Sequence, residues 1–252
     1  MATMPSLDLI ATTAFGVEAV TARELTQLGY EPETVGPGRV RFAGGEADIC
    51  HANLWLRSAG RVLIQLGEFP ATDFGVLFDQ TRELPWERWI APDNAFPVRG
   101  RSVKSQLSSV PACQRAVKKA VAERLLDAHH ADRLPETGGE CEIEVSLLKD
   151  QVSLTLNTSG PGLHRRGYRS LAAKAPVRET LAATLVLLSF WQPGRPLIDP
   201  FCGSGTILVE AAMIGRRIAP GLRRAFAAER WPALGGELWH AAREDAEAEQ
   251  AP

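Results

Sequence analysis

A glycine-containing segment, Pro196–Glu210, restricts the possible folds of this chain more than any other segment. It reads Pro-Leu-Ile-Asp-Pro-Phe-Cys-Gly-Ser-Gly-Thr-Ile-Leu-Val-Glu: a short apolar run, an acid, a Gly-x-Gly turn and residues with helical spacing. Glycines let a backbone approach a ligand closely, and the N–H groups at the start of the following helix face the turn. The segment therefore predicts a strand at Pro196–Ile198, a ligand-binding loop and a helix at Ser204–Ile214.

Three kinds of ligand-binding loop share this outline, and so does a plain structural turn. A phosphate-binding P-loop requires a lysine after the last glycine, and none follows Gly205. A dinucleotide-binding fingerprint requires a third glycine where Leu208 stands, which weakens that interpretation. The third interpretation is a methyltransferase loop. In it Asp199 interacts with the ammonium group of S-adenosylmethionine, while Gly203 and Gly205 leave room for the methionine portion.

The composition indicates a globular protein without a membrane or metal partner. Hydrophobic residues make up 45% of the chain and charged residues 23%, which are ordinary fractions. The four cysteines have neither C-x-x-C spacing nor neighbouring histidines, so we expect reduced thiols and no metal. The longest apolar run, Leu181–Trp191, is too short to span a bilayer, and the first residues do not resemble a signal peptide. We therefore expect a cytoplasmic protein.

Residues 1–70 predict a ferredoxin-like domain, with the element order β-α-β-β-α-β. A hairpin is indicated at Gly36-Pro37-Gly38, and Gly29 stands where a helix end favours a left-handed residue. Such a domain has a small antiparallel sheet covered by helices on one face. The expected strands are Leu7–Ala11, Glu33–Val35, Arg39–Phe42 and Arg61–Phe69, and the expected helices are Phe15–Leu28 and Ala47–Ala59.

Residues 71–158 predict a second α+β domain. Trp86 and Trp89 are expected to pack in its core and not to act as stacking platforms for bases. Pro111 suits the first turn of a helix, and Lys149-Asp150 suits a tight hairpin. The expected strands are Ala95–Val98, Cys141–Leu148 and Gln151–Leu156, and the expected helix is Ser109–Leu126.

Residues 159–252 predict the N-terminal portion of an α/β domain. A helix is expected at Pro176–Phe190, ahead of the strand, loop and helix of the glycine segment. The residues Arg243–Pro252 are rich in alanine and acids, and we expect them to be frayed or disordered.

Positive charge is segregated along the chain, although the formal net charge is -2. The stretch Arg99–Ala122 contains six basic residues and no acid, and Gln151–Arg178 is also free of acids. A polyanion partner accounts for this segregation, because Lys and Arg neutralise phosphates. The alternative is that the lysines of the first stretch form the solvated face of an amphipathic helix.

The glycine segment and its surroundings resemble the THUMP-containing RNA guanine-N2 methyltransferases, a family often labelled N6-adenine-specific DNA methylases. The resemblance includes Asp199-Pro-Phe-Cys-Gly-Ser-Gly-Thr206, Glu210-Ala-Ala-Met213 and Ile218-Ala-Pro-Gly-Leu222. Upstream, Leu163-His-Arg-Arg-Gly-Tyr168 and Ala175-Pro-Val-Arg-Glu-Thr-Leu181 resemble the lead-in to that motif. The segments Phe96–Ser105 and Cys113–Lys119 resemble the THUMP region, a module that holds RNA.

The resemblance implies a fold, a cofactor, a partner and candidate site residues. The fold is an α+β N-terminal half, ferredoxin-like plus THUMP, followed by an incomplete α/β Rossmann-like methyltransferase domain. The cofactor is S-adenosylmethionine, and the partner is RNA, for which we expect ribosomal RNA. The candidate cofactor-binding residues are Asp199, Pro200, Phe201, Gly203, Gly205, Thr206, Pro176 and Glu179. The candidate RNA-binding residues are Arg99, Arg101, Lys104, Arg115, Lys118, Lys119, His164, Arg165 and Arg166.

The family's later Asn/Asp-Pro-Pro-aromatic motif, which holds the target amine and stacks on the base, does not occur in this sequence. We therefore assign no catalytic residue. We expect the chain to be truncated after the first methyltransferase motif. We also expect the segment after about Lys174 to be loosely packed, or completed by a second chain. Two alternatives stay open: a non-catalytic RNA-binding module or subunit, and, less favoured, a DNA adenine-N6 methyltransferase.

Overall fold

A computed structural model describes residues 6–168 and 177–251 of the 252-residue chain. The chain divides into two compact units, each of which is discontinuous in sequence. The first unit combines Met1–Val62, Pro161–Phe226 and Gly236–Pro252. The second combines Leu63–Gly160 with Ala227–Gly235.

The first unit begins with the predicted ferredoxin-like elements. Strand β1 (Leu7–Thr12) is antiparallel to β3 (Arg39–Gly44), and β3 is antiparallel to β2 (Glu33–Gly36). Buried side chains of the sheet and of the second helix, including Leu9, Phe42 and Ile49, form the core here. The element order β-α-β-β-α-β is confirmed. In chain order the elements are β1 (Leu7–Thr12), α1 (Glu18–Gln27), β2 (Glu33–Gly36), β3 (Arg39–Gly44), α2 (Glu46–Trp55) and β4 (Arg61–Pro70), whose residues from Leu63 belong to the second unit.

The first helix is shorter than its apolar spacing predicts. It begins at Glu18 and not at Phe15, whose side chain is 85% exposed. The reason is Gly16, which has a φ of +87° and therefore interrupts any right-handed helix. Gly29 at the other end has a φ of +91°, as predicted for a left-handed residue after a helix.

The second unit contains a four-stranded sheet in the order β4, β7 (Gln151–Asn157), β6 (Ile143–Leu148) and β5 (Val98–Val103). The pairs β4–β7 and β7–β6 are antiparallel, and β6–β5 is parallel. The helix α3 (Phe74–Arg82) was not foreseen. The predicted strand Ala95–Val98 is wrong: Ala95 makes only an isolated bridge to Glu140, because Pro97 has no N–H to donate. The elements are β4, α3 (Phe74–Arg82), β5 (Val98–Val103), α4 (Val110–His129), β6 (Ile143–Leu148) and β7 (Gln151–Asn157).

Local sequence signals of the second unit are confirmed at three places. Pro111 lies in the first turn of α4, where its missing N–H has no intrahelical partner to lose. Lys149 and Asp150 have φ values of +52° and +65°, the signs that a tight hairpin turn requires. Trp86 and Trp89 are buried, and Nε1 of Trp86 donates to the carbonyl of Thr81 at 2.7 Å. Both tryptophans are therefore core residues.

The rest of the first unit is helical within the described residues 177–251. The predicted strand Pro196–Ile198 is wrong, because these described residues contain no strand that could pair with it. The predicted disorder of Arg243–Pro252 is also wrong for the residues up to 251. The last helix continues to Ala248, and the N–H of Ala251 donates to Arg216 at 2.9 Å. The elements are α5 (Glu179–Leu188), α6 (Thr206–Gly215) and α7 (Gly236–Ala248).

None of the helices in the described part of the chain combines the length and the apolar character needed to cross a membrane.

Neighbouring leucines on β6 test the assignment of its two faces. Leu147 is 1% exposed and Leu148 is 51% exposed, because successive side chains of a strand point to opposite faces. We predict that Leu147→Ala lowers the free energy of unfolding by about 2–5 kcal/mol, whereas Leu148→Ala lowers it by less than about 1 kcal/mol. Urea unfolding of both variants measures this, and equal losses would contradict the assigned register.

Candidate cofactor loop and nucleic-acid interface

The glycine loop forms an open turn at the start of α6. Gly203 has a φ of +53° and Gly205 a φ of +71°, and Gly205 is the N-terminal cap of the helix. The N–H of Gly205 donates to the carbonyl of Cys202 at 2.7 Å. A Cβ atom added at Gly205 would meet no atom within 4 Å. The turn therefore leaves space beside the N-terminus of α6, where backbone N–H groups can bind a carboxylate.

Asp199 lies at the entrance to this turn. One carboxylate oxygen, Oδ1, accepts from the N–H of Phe201 at 3.0 Å, which fixes the side chain next to the loop. No described residue bonds to Oδ2, so this oxygen can accept from a cationic ligand. Thr206 is buried, and its hydroxyl is 3.1 Å from that of Ser204. Pro200 and Phe201 are exposed, the latter to 94%.

The two remaining cofactor candidates lie upstream of the loop. Glu179 is the first residue of α5 and is buried, and α5 packs against α6. Pro176 lies outside the described residues. The structure therefore brings Glu179 to the helix pair that carries the glycine loop.

An apolar face remains exposed on α5 and in the segment before α6. Leu181, Leu185 and Leu188 lie along one side of α5, and each is nearly half exposed. Ile198 and Phe201 are almost fully exposed. These five exposed apolar side chains therefore lie on α5 and in the segment that leads to α6.

The basic residues of the second unit fall into two groups. On β5 the side chains alternate, so Arg99 and Arg101 point away from α4, which packs over Gly100 on the opposite face. Arg99 forms an ion pair with Glu142, and Nε of Arg101 donates to Ser146 at 2.8 Å. Lys104 is exposed just after the strand.

The second group lines a groove between β5 and α4. The groove has a volume of about 540 Å³. Arg115 and Lys119 are exposed, and Nζ of Lys118 lies 3.6 Å from the centre of the Phe96 ring and 2.7 Å from Glu136. Three predicted RNA contacts therefore meet at one groove. Its lining is Pro97, Val98, Pro111, Gln114, Arg115, Lys118, Lys119 and Ala122.

The predicted contacts of the first unit divide into surface and interior residues. Arg165 is exposed. His164 is half-buried, and burial lowers its pKa more than the nearby Glu179 raises it. The prediction that Arg166 contacts RNA is wrong, because its side chain is buried and bonds to Glu210 and to backbone carbonyls.

Sequence reasoning missed the role of Glu210. This residue is the only acid of α6, a helix that otherwise consists of apolar and small residues and one threonine. It is fully buried. A lone acid in an apolar helix signals a buried cationic partner, because an unpaired buried carboxylate is strongly destabilised. That signal was present in the sequence, but the partner could be identified only from the structure.

Comparison with known protein families gives a domain assignment for most of the chain. Residues 8–63 match the RlmL ferredoxin-like domain, and residues 71–157 match the THUMP domain. Residues 166–251 match the RMKL-like methyltransferase domain. The chain is therefore similar to three domain families, whose matches follow one another along it without overlap. Its fold comprises ferredoxin-like and THUMP domains followed by part of a methyltransferase domain.

Relatives with this arrangement are known in several bacteria. The chain is 52% identical over 246 residues to "Putative RNA methyltransferase YpsC" of Bacillus subtilis (strain 168), covering 97% of this chain and 64% of that protein. A structure from Listeria monocytogenes, described as a predicted N6-adenine-specific DNA methylase, is 51% identical with a TM-score of 0.94. The match covers 98% of this chain and 65% of the Listeria chain. The structure of SMU.472, described as "a putative methyltransferase complexed with SAH", is 44% identical with a TM-score of 0.92. The match covers 99% of this chain and 66% of the SMU.472 chain. The chain thus spans just under two thirds of these relatives.

Amide hydrogen exchange tests the openness of the glycine segment. We predict that a peptide covering residues 196–201 exchanges much faster than one covering β7. The former residues lie outside helices and strands, whereas β7 is paired on both sides. Exchange followed by mass spectrometry measures the difference. Equal, strong protection of the two peptides would show that the segment is closed in solution.

Proposed function

We propose that this chain is the RNA-binding and cofactor-binding part of an S-adenosylmethionine-dependent RNA methyltransferase. The observation that carries the proposal is the open Gly203–Gly205 turn at the start of α6, with Asp199 fixed beside it. The dipole and N–H groups of the helix suit the carboxylate of a methionine moiety, and the Asp199 carboxylate suits its ammonium group. Bound S-adenosylmethionine would supply an activated methyl group. The protein's part would be to bind and orient the cofactor.

Of the other cofactor candidates, we propose that Pro200, Phe201 and Thr206 complete the loop around the cofactor. Glu179 would contact it from α5, the helix that packs on α6. Pro176, whose role rests on the resemblance alone, is retained as a candidate.

The RNA-binding part of the proposal rests on the basic groove between β5 and α4. Arg115 and Lys119 are exposed there, and the ion pair of Lys119 with Glu123 is long, at 3.7 Å, so both cations can neutralise phosphates. Lys118 borders the same groove through its Phe96 contact. Arg99, Arg101 and Lys104 offer a second surface on the opposite side of the strand, and His164 and Arg165 offer a third in the first unit. A THUMP domain occupies residues 71–157, which supports this use.

For the acceptor of the methyl group, we propose a guanine N2 amine in ribosomal RNA, and we propose that a second chain completes the methyltransferase domain. Transfer from a sulfonium to an exocyclic amine needs positioning and exclusion of water more than a strong base. The exposed apolar face of Leu181, Leu185 and Leu188 supports completion by further polypeptide, which a second chain could supply.

A calorimetric titration with S-adenosylhomocysteine tests the cofactor site. We predict one-site binding that Asp199→Ala weakens roughly tenfold or more, because a hydrogen bond to a charged group contributes about 1.5–3 kcal/mol. Asp132→Ala, which removes an exposed acid of the second unit, is the matched control and should bind like the unchanged chain. No binding by a folded chain would favour the alternative function, a non-catalytic RNA-binding module.

The salt dependence of RNA binding tests the groove. We predict that Arg115→Ala combined with Lys119→Ala weakens binding to all RNAs about equally. The slope of log affinity against log salt should fall by about two, because each lost phosphate contact removes about one released counterion. Arg133→Ala, an exposed cation that does not line the groove, is the control. Filter binding over a range of salt measures this. An unchanged slope in the double variant would remove the groove from the interface.

A further inference from the structure

The guanidinium of Arg166 is buried, and all of its hydrogen-bond donors have acceptors. Nε and Nη2 donate to the two carboxylate oxygens of Glu210, each at 3.4 Å. Nη2 also donates to the carbonyl of Arg57 at 2.5 Å. Nη1 donates to the carbonyls of Leu163 at 2.9 Å and Leu56 at 3.5 Å. One side chain therefore joins three parts of the first unit: the end of the ferredoxin-like segment, the 163–166 loop and α6.

The carboxylate of Glu210 is the only charged group of α6, and Glu210 is the fifth of the 10 residues of that helix. It is fully buried and also accepts from the hydroxyl of Tyr168 at 3.2 Å. Gly205, the N-terminal cap of α6, precedes Glu210 by five residues. Since a helical turn takes about 3.6 residues, Glu210 lies little more than one turn from the glycine loop. A displacement of this carboxylate would therefore displace the loop as well.

The segment to which Arg166 is bonded is itself fixed. Glu24 of α1 accepts from the backbone N–H groups of Arg57 and Ser58 at 3.0 and 2.8 Å. The side chain of Arg57 donates to the carbonyl of Ile218 at 2.9 Å, and burial lowers its pKa to about 10. The N–H of Gly221 donates to the carbonyl of Leu54 at 2.9 Å. The ferredoxin-like segment thus contacts the segment that follows α6 directly, and it contacts α6 itself through Arg166 and Glu210.

We propose that Arg166 and Glu210 are positioning residues that fix the cofactor loop to the ferredoxin-like segment, so that cofactor affinity depends on this segment. The inference rests on the proposed cofactor site at Asp199–Thr206. Neither residue belongs to that loop, and both act through the position of α6. The ferredoxin-like segment would then serve as the base on which the cofactor loop is held.

The test separates positioning from folding. Removal of one partner leaves a buried, unpaired charge and endangers the fold, whereas replacing both partners by apolar residues of similar size is often tolerated. The variants are therefore Glu210→Gln, and Arg166→Met combined with Glu210→Met. The control is Arg124→Met combined with Glu87→Met, an ion pair of the second unit with a shortest separation of 2.6 Å.

We expect folded variants at the Arg166–Glu210 pair to bind S-adenosylhomocysteine about tenfold more weakly than the unchanged chain, which is within the range of couplings carried by packed elements. We also expect faster amide exchange at residues 209–213, whose N–H groups are hydrogen-bonded within α6. The control should change neither quantity. Arg166→Lys should also bind S-adenosylhomocysteine more weakly than the unchanged chain. The charge is kept in this variant, but one ammonium group cannot reach the separate acceptors of the guanidinium.

Affinity within twofold of the unchanged chain in the folded double variant, with unaltered exchange at residues 209–213, would overturn the proposal. If the double variant does not fold, Glu210→Gln, which removes the charge but keeps an oxygen acceptor for Arg166, gives the same decision. If the unchanged chain does not bind S-adenosylhomocysteine, the proposed cofactor site fails. Exchange at residues 209–213 then still decides whether the pair holds α6 in place.

Discussion

A buried ion pair, Arg166–Glu210, joins three parts of the first unit that lie far apart in sequence. Burial of two charges is favourable only where every donor and acceptor is satisfied, and here the guanidinium has five contacts and the carboxylate three. The glycine loop, α6 and the end of the ferredoxin-like segment are arranged around this pair. The cofactor loop and the N-terminal domain are therefore parts of one packed body, although the family models assign them to separate domains.

Much of the fold followed from local signals that do not depend on distant residues. The turn at Lys149-Asp150, the cap at Gly29 and the proline of α4 each fix a few backbone angles, and all three were predicted correctly. The errors arose at positions where another residue or strand determines the backbone conformation. Gly16 shortened α1 although the apolar spacing continued through Phe15. The run Pro196–Ile198 has the composition of a strand, but a strand exists only with a hydrogen-bonded partner.

The candidate site was predictable to a similar degree. The Gly-x-Gly spacing and Asp199 identified the loop, because conformational freedom and charge are properties of single residues. Which arginine of the pair Arg165–Arg166 faces solvent could not be read from the sequence, since both carry the same charge in the same loop. The structure separates them, with Arg165 outside and Arg166 inside. The alternation along β5 likewise placed Arg99 and Arg101 on the face away from α4, a distinction that a count of basic residues does not make.

The position of β5 gives these two arginines a further consequence. β5 pairs only with β6 among the described strands, so it is an edge strand of the sheet, and one of its carbonyls, that of Val98, accepts from the side chain of Gln114 at 3.0 Å. Such an edge can add a strand from another molecule and so begin aggregation. Two β5 edges brought together would place arginines of like charge opposite one another, and like charges opposed across strands are destabilising. Arg99 and Arg101 would thus help to keep the molecule from associating through its own sheet, whatever else they bind.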